Sequence, residues 1–102
     1  MPVTITSDAA GFAMDTQPPI SARWSDVIEI VAFKRDLLTT DMICLEFQLD
    51  DGTFIQTDED MVGYRRFIAI VESTFNLAPN WWSDVAFPAF KTNTSTIWSA
   101  ST

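Results

Sequence analysis

The chain has 102 residues, 47% of them hydrophobic and 13% aromatic, so it is long and apolar enough to bury one core and too short to bury two. Fourteen carboxylates against six basic side chains give a formal charge of −8, a field that repels phosphate backbones and anionic headgroups and excludes nucleic acid and membrane surfaces as expected partners. With no histidine and one cysteine, the sequence lacks the imidazole of Ser-His-Asp, Cys-His and most catalytic zinc sites, and it cannot close an intramolecular disulfide.

In chain order, Val3 to Thr16 carries a short alternation (Val3, Ile5) and small residues around Gly11, and Pro18-Pro19 ends it. Residues 1–19 are expected to form an edge strand or a loose arm of a single domain spanning 1–102. Met1 to Phe12 has neither a basic start nor a long apolar run, so neither export nor membrane insertion is expected, and a reducing cytoplasmic setting suits the lone thiol. Ile20 to Phe33 is rich in β-branched and aromatic residues, with Ile20, Ala22 and Trp24 alternating before a Ser25-Asp26 turn. One or two strands are expected there, although Val27, Ile30 and Val31 suit a helical turn equally well. Lys34 to Asp41 reads as a connection, because Thr39-Thr40-Asp41 favours turning. Met42 to Leu49 has the clearest period of two, with Ile43, Leu45, Phe47 and Leu49 on one face and Cys44, Glu46 and Gln48 on the other. Asp50-Asp51-Gly52 predicts a tight turn and Thr53 to Thr57 a returning strand, with Phe54 as a core residue.

The spacing of Met61, Tyr64, Ile68, Val71 and Phe75 predicts a helix from about Glu59 to Phe75. Thr57 or Asp58 is its expected N-cap, Asp58, Glu59 and Asp60 complement its dipole, and Asn76 with Pro79 stops it. Beyond it, Trp81, Trp82, Phe87, Phe90 and Trp98 are spaced by Pro, Asn, Thr and Ser, which predicts an irregular aromatic segment and a last strand from Ser95 to Ala100. The fold class is α+β: an antiparallel sheet of about four to six strands with one main amphipathic helix packed on it. A pleckstrin-homology-like, partly closed barrel capped by the helix is the alternative. Trp24-Ser25-Asp26-Val27 and Trp82-Ser83-Asp84-Val85 repeat four residues, too few for a structural repeat.

No catalytic residue and no cofactor follow from the residues present. Asp50, Asp51, Asp58 and Asp60 are weak candidates for a hard divalent cation, but the turn and the helix start already account for them without a metal. Cys44 reads as a structural thiol with no neighbour to lower its pKa. Of the paired basic residues, Lys34-Arg35 and Arg65-Arg66, the second pair is expected to bridge to Asp58, Asp60 or an adjacent strand. The C-terminal aromatics exceed what one short strand can bury, which makes Trp81, Trp82, Phe87 and Trp98 the interaction candidates; the competing account is a segment that buries its own rings against the sheet.

The run Trp24-Ser25-Asp26-Val27-Ile28-Glu29-Ile30-Val31-Ala32-Phe33-Lys34-Arg35-Asp36-Leu37 with Thr39-Thr40-Asp41-Met42-Ile43-Cys44-Leu45, continuing through Glu59-Asp60-Met61, Trp82, Pro88-Ala89-Phe90 and Asn93-Thr94, resembles a family of small bacterial proteins. That family, a domain of unknown function, implies no reaction and no catalytic residues. In size and charge alone the chain is also similar to immunity proteins that neutralise a toxin in the producing cell. The expected function is a non-enzymatic protein-interaction module, in its specific form an inhibitor of a basic partner, with a homodimer open. The alternative is a protein that binds a small ligand or a divalent metal.

Overall fold

Alternation of apolar and polar residues governs most of the chain. The computed structural model describes residues 2–36, 41–86 and 93–100 and has two open antiparallel sheets with one main helix, the expected α+β class. The first sheet is β1 (Ile5–Ser7), β2 (Gly11–Met14) and β3 (Ile20–Arg23), in that order. A 3-10 turn, Trp24–Asp26, leads into the second sheet of β4 (Val27–Asp36), β5 (Asp41–Leu49), β6 (Phe54–Asp58) and β7 (Asn93–Ser99), ordered β6-β5-β4-β7. Helices α1 (Tyr64–Phe75) and α2 (Trp81–Ala86) lie between β6 and β7 in sequence. Strands β6 and β7 are separate edges, so the barrel alternative is not adopted.

Val27 to Phe33 is strand throughout. A register shift between Val27 and Glu29 leaves Ile28 exposed outside the alternation. The pairing that follows sets Ile30 opposite Phe47, Ala32 opposite Leu45 and Lys34 opposite Ile43, and Ile55 and Thr57 of β6 continue the same face. All eight of these residues are buried. Phe54 is a correction: the turn at 50–53 pairs Phe47 with Ile55, so Ile55 points inward and Phe54, opposite Gln48, is 57% exposed. A shift of one residue in the turn exchanges the two faces of a strand.

Rings fill the space over the inner face. Phe47 lies 5.1 Å from Phe12 and 5.7 Å from Phe67 between ring centroids, while Phe75 contacts both Trp24 (5.7 Å) and Trp98 (4.6 Å). Each ring so enclosed contributes about 1.5–3 kcal/mol by area. The N-terminal segment is therefore no loose arm: Ile5, Phe12 and Met14 are buried in this cluster, and the Trp24 ring N–H donates to the Asp8 carbonyl at 2.8 Å.

Helix α1 begins five residues later than its spacing suggests. Thr57 and Asp58 continue β6, paired with Leu45 and Cys44, and the Asp58 carboxylate accepts the Asp60 N–H inside the following turn. Sheet pairing thus takes the residues expected to cap the helix. Its N-cap is Gly63, at φ 87°, with no side-chain cap. At the other end Asn76 stops the helix as expected; it takes the left-handed conformation, with its N–H and that of Leu77 on the Glu72 carbonyl.

Candidate interaction site

The outward residues of the second sheet form rows across its strands. Thr94, Phe33, Cys44 and Asp58 make one row, Thr96, Val31, Glu46 and Gln56 the next, and Glu29, Gln48 and Phe54 a third. The first sheet and α1 pack on the opposite, inner face through Phe12, Trp24 and Phe67, and α2 reaches it at Lys34. Val31, Phe33 and Met42 are half-buried on the outer face, and Phe54 stands out from it. Among the described residues, three carboxylates, Glu29, Glu46 and Asp58, share this surface with one guanidinium, Arg35, which lies 5.9 Å from the Phe33 ring centroid. Glu46 is oriented by Gln56, whose amide donates to it at 3.0 Å. Apolar and acidic side chains are interspersed on this face: Glu46 lies in the middle row between Val31 and Gln56, and Phe54 stands on the edge strand β6.

Cys44 belongs to this face by register, between Phe33 and Asp58, yet is 1% exposed. Burial above all pushes its thiol above the ordinary value of 9.0; Arg35 pulls the other way, and Asp58, Glu59 and Asp60 add to the rise. A thiol so covered packs as a structural residue, and burial disfavours its ionisation.

The sequence-derived candidates part company. Trp81 is 4% exposed and its ring N–H donates to the Glu72 carboxylate at 2.8 Å, which ties α2 to α1. Trp98 is half-buried against Phe75. Phe87 lies outside the described residues. Trp82 alone of the four is an exposed large aromatic among the described residues, at 45%. The two Trp-Ser-Asp-Val segments share no environment, since Trp24 is buried in the 3-10 turn.

Trp82 borders a cleft of about 290 Å³ lined also by Ile43, Glu59, Tyr64, Arg65, Ile68 and Trp81. Glu59 is fixed there because its Oε1 accepts the Ile43 N–H at 2.6 Å, where β6 has ended and the β5 amide needs an acceptor. The Tyr64 hydroxyl is turned into the core, 2.9 Å from Thr57 Oγ1, and burial raises its pKa well above the ordinary phenol value. The bridges expected from Arg65 and Arg66 to Asp58 or Asp60 do not form; among the described residues the ion pair is Arg23–Asp26, at 3.4 Å. Lys34 and Arg35 point to opposite faces, Lys34 being 1% exposed with Nζ donating to the Ala86 carbonyl at 3.0 Å.

Two of the weak metal candidates, Asp51 and Asp58, are engaged locally. Asp51 accepts the Thr53 N–H at 2.9 Å, and hydrogen bonds from Thr53 hold its carboxyl below the usual range. Asp58 serves Asp60, and among the described residues no three of Asp, Glu or Cys gather as a ligand set. Phe33 and Phe54 are the surface residues that sequence reasoning missed. The signal for Phe33 was present, since Val31 and Phe33 alternate with Ile30 and Ala32.

No described helix is long and apolar enough to cross a membrane. Comparison of the chain with family models, with curated proteins and with solved structures finds no match.

Proposed function

We propose that this chain is a non-enzymatic protein-interaction module that docks a basic partner protein on the outer face of its second sheet, an immunity-type inhibitor being the specific form. One observation carries the reading: Phe54 and the half-buried Val31, Phe33 and Met42 lie among Glu29, Glu46 and Asp58, with Arg35 the one opposing charge among the described residues of this face. Exposed aromatic area supplies affinity once desolvated, and the carboxylates interspersed with it on a chain of charge −8 speed encounter with a positive partner. The same carboxylates disfavour self-association through this face, because a second copy would bring like charges together. The small bacterial family that the chain resembles and a cytoplasmic setting fit such a role.

The test is a photo-crosslinking residue placed at position 54, with controls at Trp82 beside the cleft and at exposed Ser73 on α1, in lysate of the expressing cells. A discrete adduct is expected from position 54 alone, lost when Glu46→Lys is added and when salt is raised to about 0.5 M, where the screening length falls to a few ångströms. Equal adducts at all three positions, or none, would refute the assignment.

A further inference from the structure

The cleft beside Trp82 holds one residue of each charge, Glu59 and Arg65, and no ion pair joins them. Elsewhere its lining is apolar or already engaged. Ile43 and Ile68 contribute aliphatic surface, Trp81 is buried with its N–H on Glu72, and the Tyr64 hydroxyl faces Thr57. Glu59 cannot swing across to Arg65 without giving up the Ile43 amide, which holds one carboxylate oxygen. Its second oxygen has no hydrogen bond among the described residues. The carboxylate is thus set in place by the end of the β5 ladder, and the guanidinium stands on the same cleft from the first turn of α1.

Separated unlike charges over an apolar floor complement a molecule that carries both charged groups on one carbon, with an apolar group beside them. We propose that this cleft binds a free α-amino acid with an apolar side chain, its carboxylate on Arg65, its ammonium on Glu59, and its side chain against Ile43, Ile68 and the Trp82 ring. Arg suits the carboxylate because its planar fork matches two oxygens at once. A cleft of about 290 Å³ lies just below the ~300–1,000 Å³ range of small-molecule sites, a size that suits a ligand as small as one amino acid. A residue within a peptide chain lacks both charges, and a chain terminus keeps only one, so the pair selects the free zwitterion. This site is separate from the sheet face and does not depend on a protein partner.

The experiment is an NMR titration of the purified protein with L-leucine and L-phenylalanine, following the amides of Ile43, Arg65 and Ile68 and the Trp82 indole. Saturable shifts are expected at these positions. N-acetyl-L-phenylalanine, which lacks the ammonium, and L-phenylalanine amide, which lacks the carboxylate, should each bind about tenfold more weakly or worse, since each loses one charge-assisted hydrogen bond. Glu59→Gln keeps an acceptor for Ile43 and should remove the discrimination against the acetylated ligand alone. Arg65→Gln should remove the discrimination against the amide alone. Absence of any shift up to about 10 mM for both amino acids, or equal binding of the blocked forms, overturns the proposal. Crosslinking from position 54 is unaffected by either result.

Discussion

The two faces of the second sheet are built from alternate residues of the same strands, yet they meet opposite fates. Inward, Ile30, Ala32, Leu45 and Phe47 are wholly buried beneath the rings of Phe12, Trp24 and Phe67. Outward, Val31 and Phe33 are half-covered and Phe54 is left mostly in water. Apolar area on the inner face is already used in folding, whereas area on the outer face can still be removed from water by a partner. The contrast is broken most directly at Phe47. Phe47→Ala should cost about 3–5 kcal/mol, seen as a large drop in the urea midpoint, because the three rings around it collapse poorly into the space left. A loss below about 1 kcal/mol would mean that the inner face is not the core.

The junction between the first sheet and α1 should come next. Gly63 has φ 87°, and a Cβ there would sit 2.7 Å from the Ile5 carbonyl oxygen. Gly52, at φ 89°, has open space around it. Both alanine variants carry the left-handed penalty of about 1–2 kcal/mol, but only Gly63→Ala must also displace β1. Gly63→Ala should therefore be clearly the less stable of the two in parallel urea melts. Lys34→Met is expected to follow, at about 1–3 kcal/mol, through loss of the bond to Ala86. Faster hydrogen exchange across Trp81–Ala86 than in α1 would locate the damage in α2.

What could be read in advance follows the range of the interactions responsible. The alternation of β5, the Asp50-Asp51-Gly52 turn and the Asn76 helix stop are fixed by near neighbours, and all three stand as expected. The start of α1 was not legible, because Thr57 and Asp58 are recruited by Leu45 and Cys44 on a different strand. Phe54 was misplaced by a turn register that determines which of two adjacent residues faces inward. Trp81 and Trp98 look alike in composition to Trp82, and only their tertiary partners, Glu72 and Phe75, take them out of the surface. The cleft draws on β5, the turn after β6, α1 and α2, so no local pattern announces it.

A smaller effect should appear in alkali. The Cys44 thiol and the Tyr64 phenol both have folded pKa values raised above their ordinary 9.0 and 10.0, so the unfolded chain gives up these protons first. Between the unfolded and folded values the native state holds more protons, and stability falls as pH rises. The contribution is fully present below the ordinary thiol value and declines above it, Cys44 before Tyr64. Urea midpoints at pH 7, 9 and 10 should decrease in that order. Cys44→Ala should flatten the earlier part of the decline; an unchanged profile in that variant would show that the thiol is not buried as described.

The smallest stability change is expected where the functional change is largest. Phe54→Ser removes a ring that is 57% exposed and opposite Gln48, so its urea midpoint should match the parent within about 0.5 kcal/mol. Phe33→Ser, half-buried between Thr94 and Cys44, should cost more than Phe54→Ser and less than Phe47→Ala. That ordering sets the depth of the outer patch, because it separates apolar area the fold already uses from area it leaves in solvent. With the fold intact, Phe54→Ser and Glu46→Lys should each weaken capture of the partner, the first by speeding dissociation and the second by slowing association in a salt-dependent way. If Phe54→Ser unfolds the chain, Phe54 belongs to the core and the outer face loses its claim as a docking surface. If it folds and binds as well as the parent, the partner docks elsewhere on the acidic surface.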